Sequence, residues 1–199
     1  MMISGVILAG GQSTRMGRNK AVIEIGGKRL IDRLVHGLQG IFPEVIIVAN
    51  TPGLYDDLGV RVVPDLIPDR GSLGGIYTAT ATATHSWAFV MACDMPFFNP
   101  GLIRHLATLT HGWDAVVPYT GDWEPLFALY AKTCLPEMER LIRSGDLKIA
   151  RFFPSVRVRR VGLDELGPHD PQGLSLFNMN TPEEFARAEE WWRQLTATA

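Results

Sequence analysis

The chain has 199 residues, 46% of them apolar and 20% charged, with a formal net charge of −2. That length is most simply one domain, residues 1–199, whose core needs no disulfide or structural metal, and the composition excludes a disordered chain. The near-neutral balance also excludes nucleic acid as a main partner, since that affinity comes from neutralising many phosphates over a basic face, so any phosphate site must be local.

The first predicted element is a buried strand over residues 3–9, which runs directly into Gly10-Gly11-Gln12-Ser13-Thr14-Arg15-Met16-Gly17-Arg18-Asn19-Lys20. Lacking Cβ atoms, the two glycines can take positive φ and bring N–H groups against phosphate oxygens, while Arg15, Arg18 and Lys20 supply charge-assisted contacts. A nucleoside triphosphate suits such a loop. It is neither of the two common glycine-rich fingerprints. The Gly-Lys-Ser/Thr of the P-loop is missing, and the dinucleotide motif needs G-x-G-x-x-G with an acidic residue ending the next strand, which here ends in Ala49-Asn50.

Residues 29–38 then repeat apolar side chains at Leu30, Ile31, Leu34, Val35 and Leu38, a helical stripe. Further strands are predicted at 45–49, 60–63, 88–92 and 115–118, with helices over 102–109 and the Ala/Thr-rich stretch 78–84. Continuous β-branched runs alternating with amphipathic segments give an α/β class, a mostly parallel central sheet with helices on both faces. After Tyr119 the pattern changes to a polar turn, Thr120-Gly121-Asp122-Trp123, and a strand-like run over 126–130 that is expected to pair antiparallel with another late strand. A helix over 135–142, a short strand over 156–161 and a Pro/Gly/Asp-rich loop over 162–173 follow. The last helix starts at Thr181 as N-cap, with Pro182 at its first position and Glu184 completing a capping box.

Cys93 and Cys134 each lie in apolar segments, which reads as two reduced thiols in a cytoplasmic protein rather than a disulfide or zinc pair. The apolar N-terminus lacks a basic n-region and meets Gly10-Gly11 too early for a signal peptide, and no run approaches the ~20 apolar residues of a membrane span.

Ligands of open α/β sheets collect outside the carboxyl ends of the strands, so residues that follow successive strands share one rim. The loop from Gly10 to Lys20, Asn50, Asp65 and Asp94 all fall there. Each alone has a simpler reading: Asn50 opens a turn, Asp65 caps one and Asp94 enters a loop.

Taken together, these residues follow a known pattern. The run L-A-G-G-x-[ST]-x-R-M-G-x-x-K, from Leu8 to Lys20, resembles the signature of the molybdenum cofactor guanylyltransferases, departing from it at Asn19, where the family usually has Asp. Gly71-Ser72-Leu73-Gly74-Gly75 stands where those proteins usually have Gly-Pro-Leu-Ala-Gly, and Asn178-Met179-Asn180-Thr181-Pro182-Glu183 matches Asn-x-Asn-Thr-Pro-Glu, so the resemblance extends from residue 6 to about residue 187. It implies a Rossmann-like nucleotide-diphospho-sugar-transferase fold and transfer of GMP from GTP to the terminal phosphate of molybdopterin or the molybdenum cofactor, with release of pyrophosphate.

The resemblance further implies Leu8, Ala9, Gly10, Lys20, Asn50 and Asp65 as contacts to the guanine nucleotide, and Asp94 as ligand of both nucleotide and Mg2+. Gly11 and Gly71, in the two glycine-rich segments, join the nucleotide-binding set, and Arg15, Lys20 and Asp94 form the catalytic set. Acceptor candidates are Trp123, stacked on the pterin or else packed from loop to core, Arg151 on its phosphate, and Asn178 and Asn180. Gly10 marks base choice, because the guanylyl branch usually reads Leu-Ala-Gly-Gly and the cytidylyl branch Leu-Ala-Ala-Gly. Implied partners are GTP and molybdopterin or molybdenum cofactor, with molybdoenzymes or their chaperones beyond them, no nucleic acid or membrane, and a monomer favoured over a stable oligomer. The competing readings are a cytidylyltransferase for the same acceptor, a sugar-phosphate nucleotidyltransferase, and a non-catalytic nucleotide- or cofactor-binding chaperone.

Overall fold

The computed structural model of the chain describes residues 2–10, 23–51 and 53–197. Gly11, Arg15, Asn19 and Lys20 therefore lie outside the described residues. The elements in order are β1 (Ile3–Leu8), β2 (Glu24–Ile25), β3 (Lys28–Arg29), α1 (Leu30–Gln39), β4 (Glu44–Val48), β5 (Arg61–Val63), α2 (Gly71–Thr82) and β6 (Trp87–Ala92). After these come α3 (Pro100–Thr108), β7 (Ala115–Pro118), β8 (Phe127–Ala131), α4 (Leu135–Ser144), β9 (Val158–Val161), α5 (Leu163–Leu166) and α6 (Pro182–Ala197).

A seven-stranded sheet runs β5-β4-β1-β6-β8-β7-β9. β5, β4, β1 and β6 are parallel, β8 is antiparallel to both β6 and β7, and β9 is parallel to β7. The expected antiparallel pairing of the 126–130 run thus occurs twice, because the strand is inserted in the middle of the sheet.

Both faces of the central strands are buried, which explains their apolar runs. Alternate residues divide between two cores. Ile7, Ile47, Phe89, Phe127 and Leu129 face α1, α3 and α6, while Val6, Ile46, Val90, Ala128 and Tyr130 face α2 and α4. The first core is aromatic at its centre, where Phe89 stacks on Phe42 at 5.7 Å and meets Phe127 edge-on at 5.1 Å. Both cysteines are buried, and burial together with Asp114 pushes the Cys134 thiol up to about 12.

Three segments differ from expectation. Helix α2 covers Gly71–Thr82 rather than 78–84, with Leu73, Gly74, Gly75, Ile76, Thr78, Ala79 and Thr80 all buried, so it lacks the polar face that would reveal its length. The 162–173 segment contains the four-residue helix α5. An unexpected hairpin joins β2 to β3 through Gly26 (φ +58°) and Gly27 (φ +72°), the two left-handed positions of a tight two-residue turn. The capping box of α6 forms as expected: Glu184 N–H donates to Thr181 Oγ1 at 3.2 Å, and Glu184 Oε2 accepts from Thr181 N–H at 2.9 Å and Asn180 N–H at 2.7 Å.

Candidate active site

The sheet itself sets the level of the site. Past the ends of the strands the ladder continues by one residue on each side: Ala9 N–H donates to Val48 O at 2.9 Å, Ala49 N–H to Val63 O at 2.9 Å and Cys93 N–H to Leu8 O at 3.1 Å. Gly10, Asn50 and Asp94 are therefore released from three neighbouring strands at one height. These three positions share the rim expected from the sequence, and of the loop from Gly10 to Lys20 only Gly10 is among the described residues.

Asn50 and Asp65 hold each other. The Asn50 side-chain amide donates to Asp65 Oδ2 at 2.7 Å, and Asp65 backbone N–H donates to Asn50 Oδ1 at 2.9 Å, tying the ends of β4 and β5 together. The second carboxylate oxygen, Asp65 Oδ1, is buried and has no hydrogen-bond partner among the described residues. A ligand N–H donor placed there would satisfy a group that is otherwise costly to bury.

Gly10 lies over β4. A Cβ at this position would meet Ala49 Cα and Val48 O at 3.7 Å and Asn50 Nδ2 at 3.8 Å, ordinary contact distances. Among the described residues there is thus space for a side chain at Gly10. Leu8, at the end of β1, packs towards α2, where a Cβ on Gly75 would come to 3.3 Å from Leu8 Cδ1. The glycine-rich run 71–75 therefore allows α2 to lie close over the strand.

The N-terminus of α2 reaches the same rim, because the helix returns from the end of β5 to the start of β6. Gly71 takes φ +53°, and Arg70 at the N-cap makes no side-chain cap bond. The first-turn N–H groups carry the positive end of the helix dipole, an environment that favours phosphate.

Asp94 is joined to the C-terminal motif through Met179, whose N–H donates to Asp94 O at 3.0 Å. Asn178, half-buried, is thereby carried beside Asp94, with its amide donating to Leu176 O at 3.2 Å. Asn180 is exposed at the start of the α6 cap.

The structure thus brings Gly10, Asn50, Asp65, Asp94 and Asn178 to one edge of the sheet. Trp123 is half-buried and meets Tyr119 at 5.3 Å and Phe153 at 4.9 Å, both edge-on, on the face of α2 and α4. Arg151 is exposed, two residues before Phe153 and 3.7 Å from Asp146. The sequence reading gave no role to Thr120, Glu124 or the 163–177 segment. These residues line a second concavity of about 510 Å3 beyond the ends of β7 and β9. Their composition is turn-rich, which is common to most surface loops.

Fold and rim together define a nucleotidyltransferase. A family model described as "MobA-like NTP transferase domain" matches residues 5–160, and the chain belongs to that family. It is 40% identical to the probable molybdenum cofactor guanylyltransferase of Pelotomaculum thermopropionicum, over 94% of this chain and 92% of that protein. It is 37% identical to the molybdenum cofactor guanylyltransferase of Desulfosudis oleivorans, over 94% of each. Among solved structures, molybdopterin-guanine dinucleotide biosynthesis protein A from Archaeoglobus fulgidus superposes with a TM-score of 0.85 at 29% identity, covering 96% of this chain and 99% of that one.

Proposed function

We propose that this chain transfers GMP from GTP to the terminal phosphate of molybdopterin or the molybdenum cofactor, giving the guanine dinucleotide and pyrophosphate, as a monomer in the cytoplasm. The observation that carries the reading is the release of Gly10, Asn50 and Asp94 at one level of the rim, in a chain whose relatives bear the name of this activity.

An oxygen of the acceptor phosphate attacks the α-phosphorus of GTP. A new P–O bond forms as the bond to the bridging oxygen of the β-phosphate breaks, and pyrophosphate leaves with the electron pair. A phosphate monoester has a second pKa of about 6, so near neutral pH the nucleophile is already mostly a dianion and needs no general base. What the reaction needs is charge compensation and alignment. The first-turn N–H groups of α2, Lys20 and Arg15 are assigned to the phosphates, and the Asn50–Asp65 pair to the nucleoside.

Asp94 suits a divalent cation, magnesium, because it offers a hard oxygen at a strand end. Among the described residues no group of three His, Cys, Asp or Glu side chains converges on a metal position. An ion here would take its remaining ligands from phosphates and water, the coordination that magnesium favours. When bound, the ion neutralises phosphate charge.

Incubation with magnesium, molybdopterin and each of the four ribonucleoside triphosphates, with products identified by mass, tests the proposal. The guanine dinucleotide is expected as the dominant product. A dominant cytosine dinucleotide would move the chain to the sister activity, and no dinucleotide with any base would refute transfer.

A further inference from the structure

The cleft beyond β7 and β9 opens on the same edge of the sheet as Asp94, since both strands are parallel to each other and, across antiparallel β8, to β6. Asp94 therefore stands between two sites. The β1, β4 and β5 side carries Gly10, Asn50 and Asp65, and the β7 and β9 side carries the cleft. Phe177, in the cleft wall, precedes by two residues the Met179 that bonds Asp94, a separation of at most about 7 Å of extended chain. The cleft wall is thus tied to the backbone of Asp94, and a ring seated in the cleft would direct a phosphate arm towards that residue.

The lining is selective. Leu163, Leu166, Leu176 and Phe177 offer apolar surface, and Thr120 and Glu124 offer polar groups. Glu124 is held in place: its N–H donates to Pro118 O at 3.0 Å, and its Oε1 accepts from the Thr120 hydroxyl at 2.6 Å. Asp170, the other carboxylate of the cleft, spends its oxygens on the N–H groups of Leu174 (3.2 Å) and Ser175 (2.9 Å), fixing the wall. Each carboxylate oxygen can accept two bonds, so Glu124, with the Thr120 hydroxyl on Oε1, can still accept from a guest through both oxygens.

We infer that Glu124 reads the hydrogen-bond-donor edge of the acceptor ring, with Thr120 as its positioning residue. The inference rests on the guanylyl-transfer reading above. A pterin presents its 2-amino group and N3–H side by side, and a carboxylate accepts such a pair through two parallel, charge-assisted bonds. Guanine presents a similar edge, so the donor nucleotide is the competing occupant. The sheet order argues for the acceptor, because the nucleotide contacts lie across Asp94 from the cleft.

The test is binding of pterin and of lumazine, in which a carbonyl replaces the 2-amino group, to wild type, Glu124→Gln and Thr120→Val. GDP is titrated in parallel, and acceptor KM is measured with molybdopterin. Wild type is expected to prefer pterin, and Glu124→Gln to lose about 10-fold or more of pterin affinity, the scale of one hydrogen bond to a charged group. GDP affinity and thermal stability should hold in that variant, because glutamine keeps an acceptor for Thr120. Acceptor KM should rise with kcat little changed, and Thr120→Val should show a smaller version that Thr120→Ser restores. Unchanged pterin affinity in Glu124→Gln, absence of a pterin preference in wild type, or weakening of GDP instead of pterin would each overturn the assignment. A wild-type protein that forms no dinucleotide would remove the guanylyl-transfer reading, while the pterin and lumazine titrations would still decide the role of Glu124.

Discussion

At Gly10 the distances separate two effects that a substitution usually mixes. A Cβ would sit 3.7 Å from the nearest atoms of the described residues, so Gly10→Ala is expected to leave the unfolding temperature essentially unchanged. A methyl group pushed into a site filled by nucleotide typically costs ~1–3 kcal/mol, so GTP affinity should fall by roughly one to two decades. Calorimetry of the free variant and a GTP titration check the two halves. A destabilised variant with normal GTP affinity would move the constraint on Gly10 from ligand to fold.

Asp94 is expected to behave in the opposite way from a core residue. Asp94→Ala should fold and melt close to wild type yet lose turnover by about 10²-fold or more, the scale seen when charge stabilisation at a reacting centre is removed. Near-normal rates at ordinary magnesium concentration would contradict the metal role. Lys20→Ala is expected to weaken GTP and slow transfer together, because an ammonium on phosphate acts in both ground and transition states. Arg15→Ala should do the same less severely, and wild-type GTP titrations and rates in both variants would remove the loop as phosphate cradle.

Among elements, the β2–β3 hairpin is placed by α6. A Cβ on Gly26 would lie 2.4 Å from Trp192 Nε1, whereas one on Gly27 meets nothing within 4 Å among the described residues, and both residues have left-handed φ. Each alanine substitution should cost about 1–2 kcal/mol through the backbone alone. Gly26→Ala should cost visibly more, because the indole must move away from Arg33, whose guanidinium lies 4.1 Å over it. Paired urea denaturations measure that difference, and equal losses would mean that α6 does not brace the hairpin.

A second element contact predicts an acid response. His105 of α3 stacks on His169, with ring centroids 4.1 Å apart and planes 21° apart. Burial lowers the His105 pKa from the usual imidazole value, with His169 and Arg159 acting in the same direction and Glu165 opposing them. The unfolded chain then takes up the proton first. Stability should fall as pH drops through about 6.5 and level off below the folded pKa. Asp114, whose pKa Arg157 holds well below the usual carboxylate range, adds its own loss only below about 4. His105→Phe keeps the stack without the titration and should flatten the decline in urea midpoint between pH 7.5 and 5.5. An equal decline in both proteins would assign the sensitivity elsewhere.

These elements also show how far the sequence could be read. Strands such as Glu44–Val48, apolar after its first residue, and Trp87–Ala92 carry continuous apolar runs because both of their faces are buried, and α6 announces its start through Thr181 and Glu184. The extent of α2 was hidden, because a helix buried nearly all round has no polar stripe and its glycines serve close packing over Leu8. The hairpin was hidden because two-residue strands carry no period. The cleft was hidden for another reason: Glu124 and Leu176 lie 52 positions apart in sequence and meet only through the order of β8, β7 and β9.

At the scale of the whole molecule, the order β5-β4-β1-β6-β8-β7-β9 puts Asp94, just past the end of β6, between the edge that carries Gly10, Asn50 and Asp65 and the cleft beyond β7 and β9. Among the described residues no helix is long and apolar enough to cross a membrane. Such a rim suits a reaction in which two phosphorylated substrates meet in line over one cation. The most direct measurement follows the phosphorus atoms: wild type, magnesium and molybdopterin are supplied with GTP labelled at either the α- or the γ-phosphate. Guanylyl transfer predicts that α-label appears in the pterin dinucleotide and γ-label in pyrophosphate, in equal amounts and only when acceptor is present. Transfer of γ-label to the pterin, or GTP breakdown that does not depend on the acceptor, would contradict it.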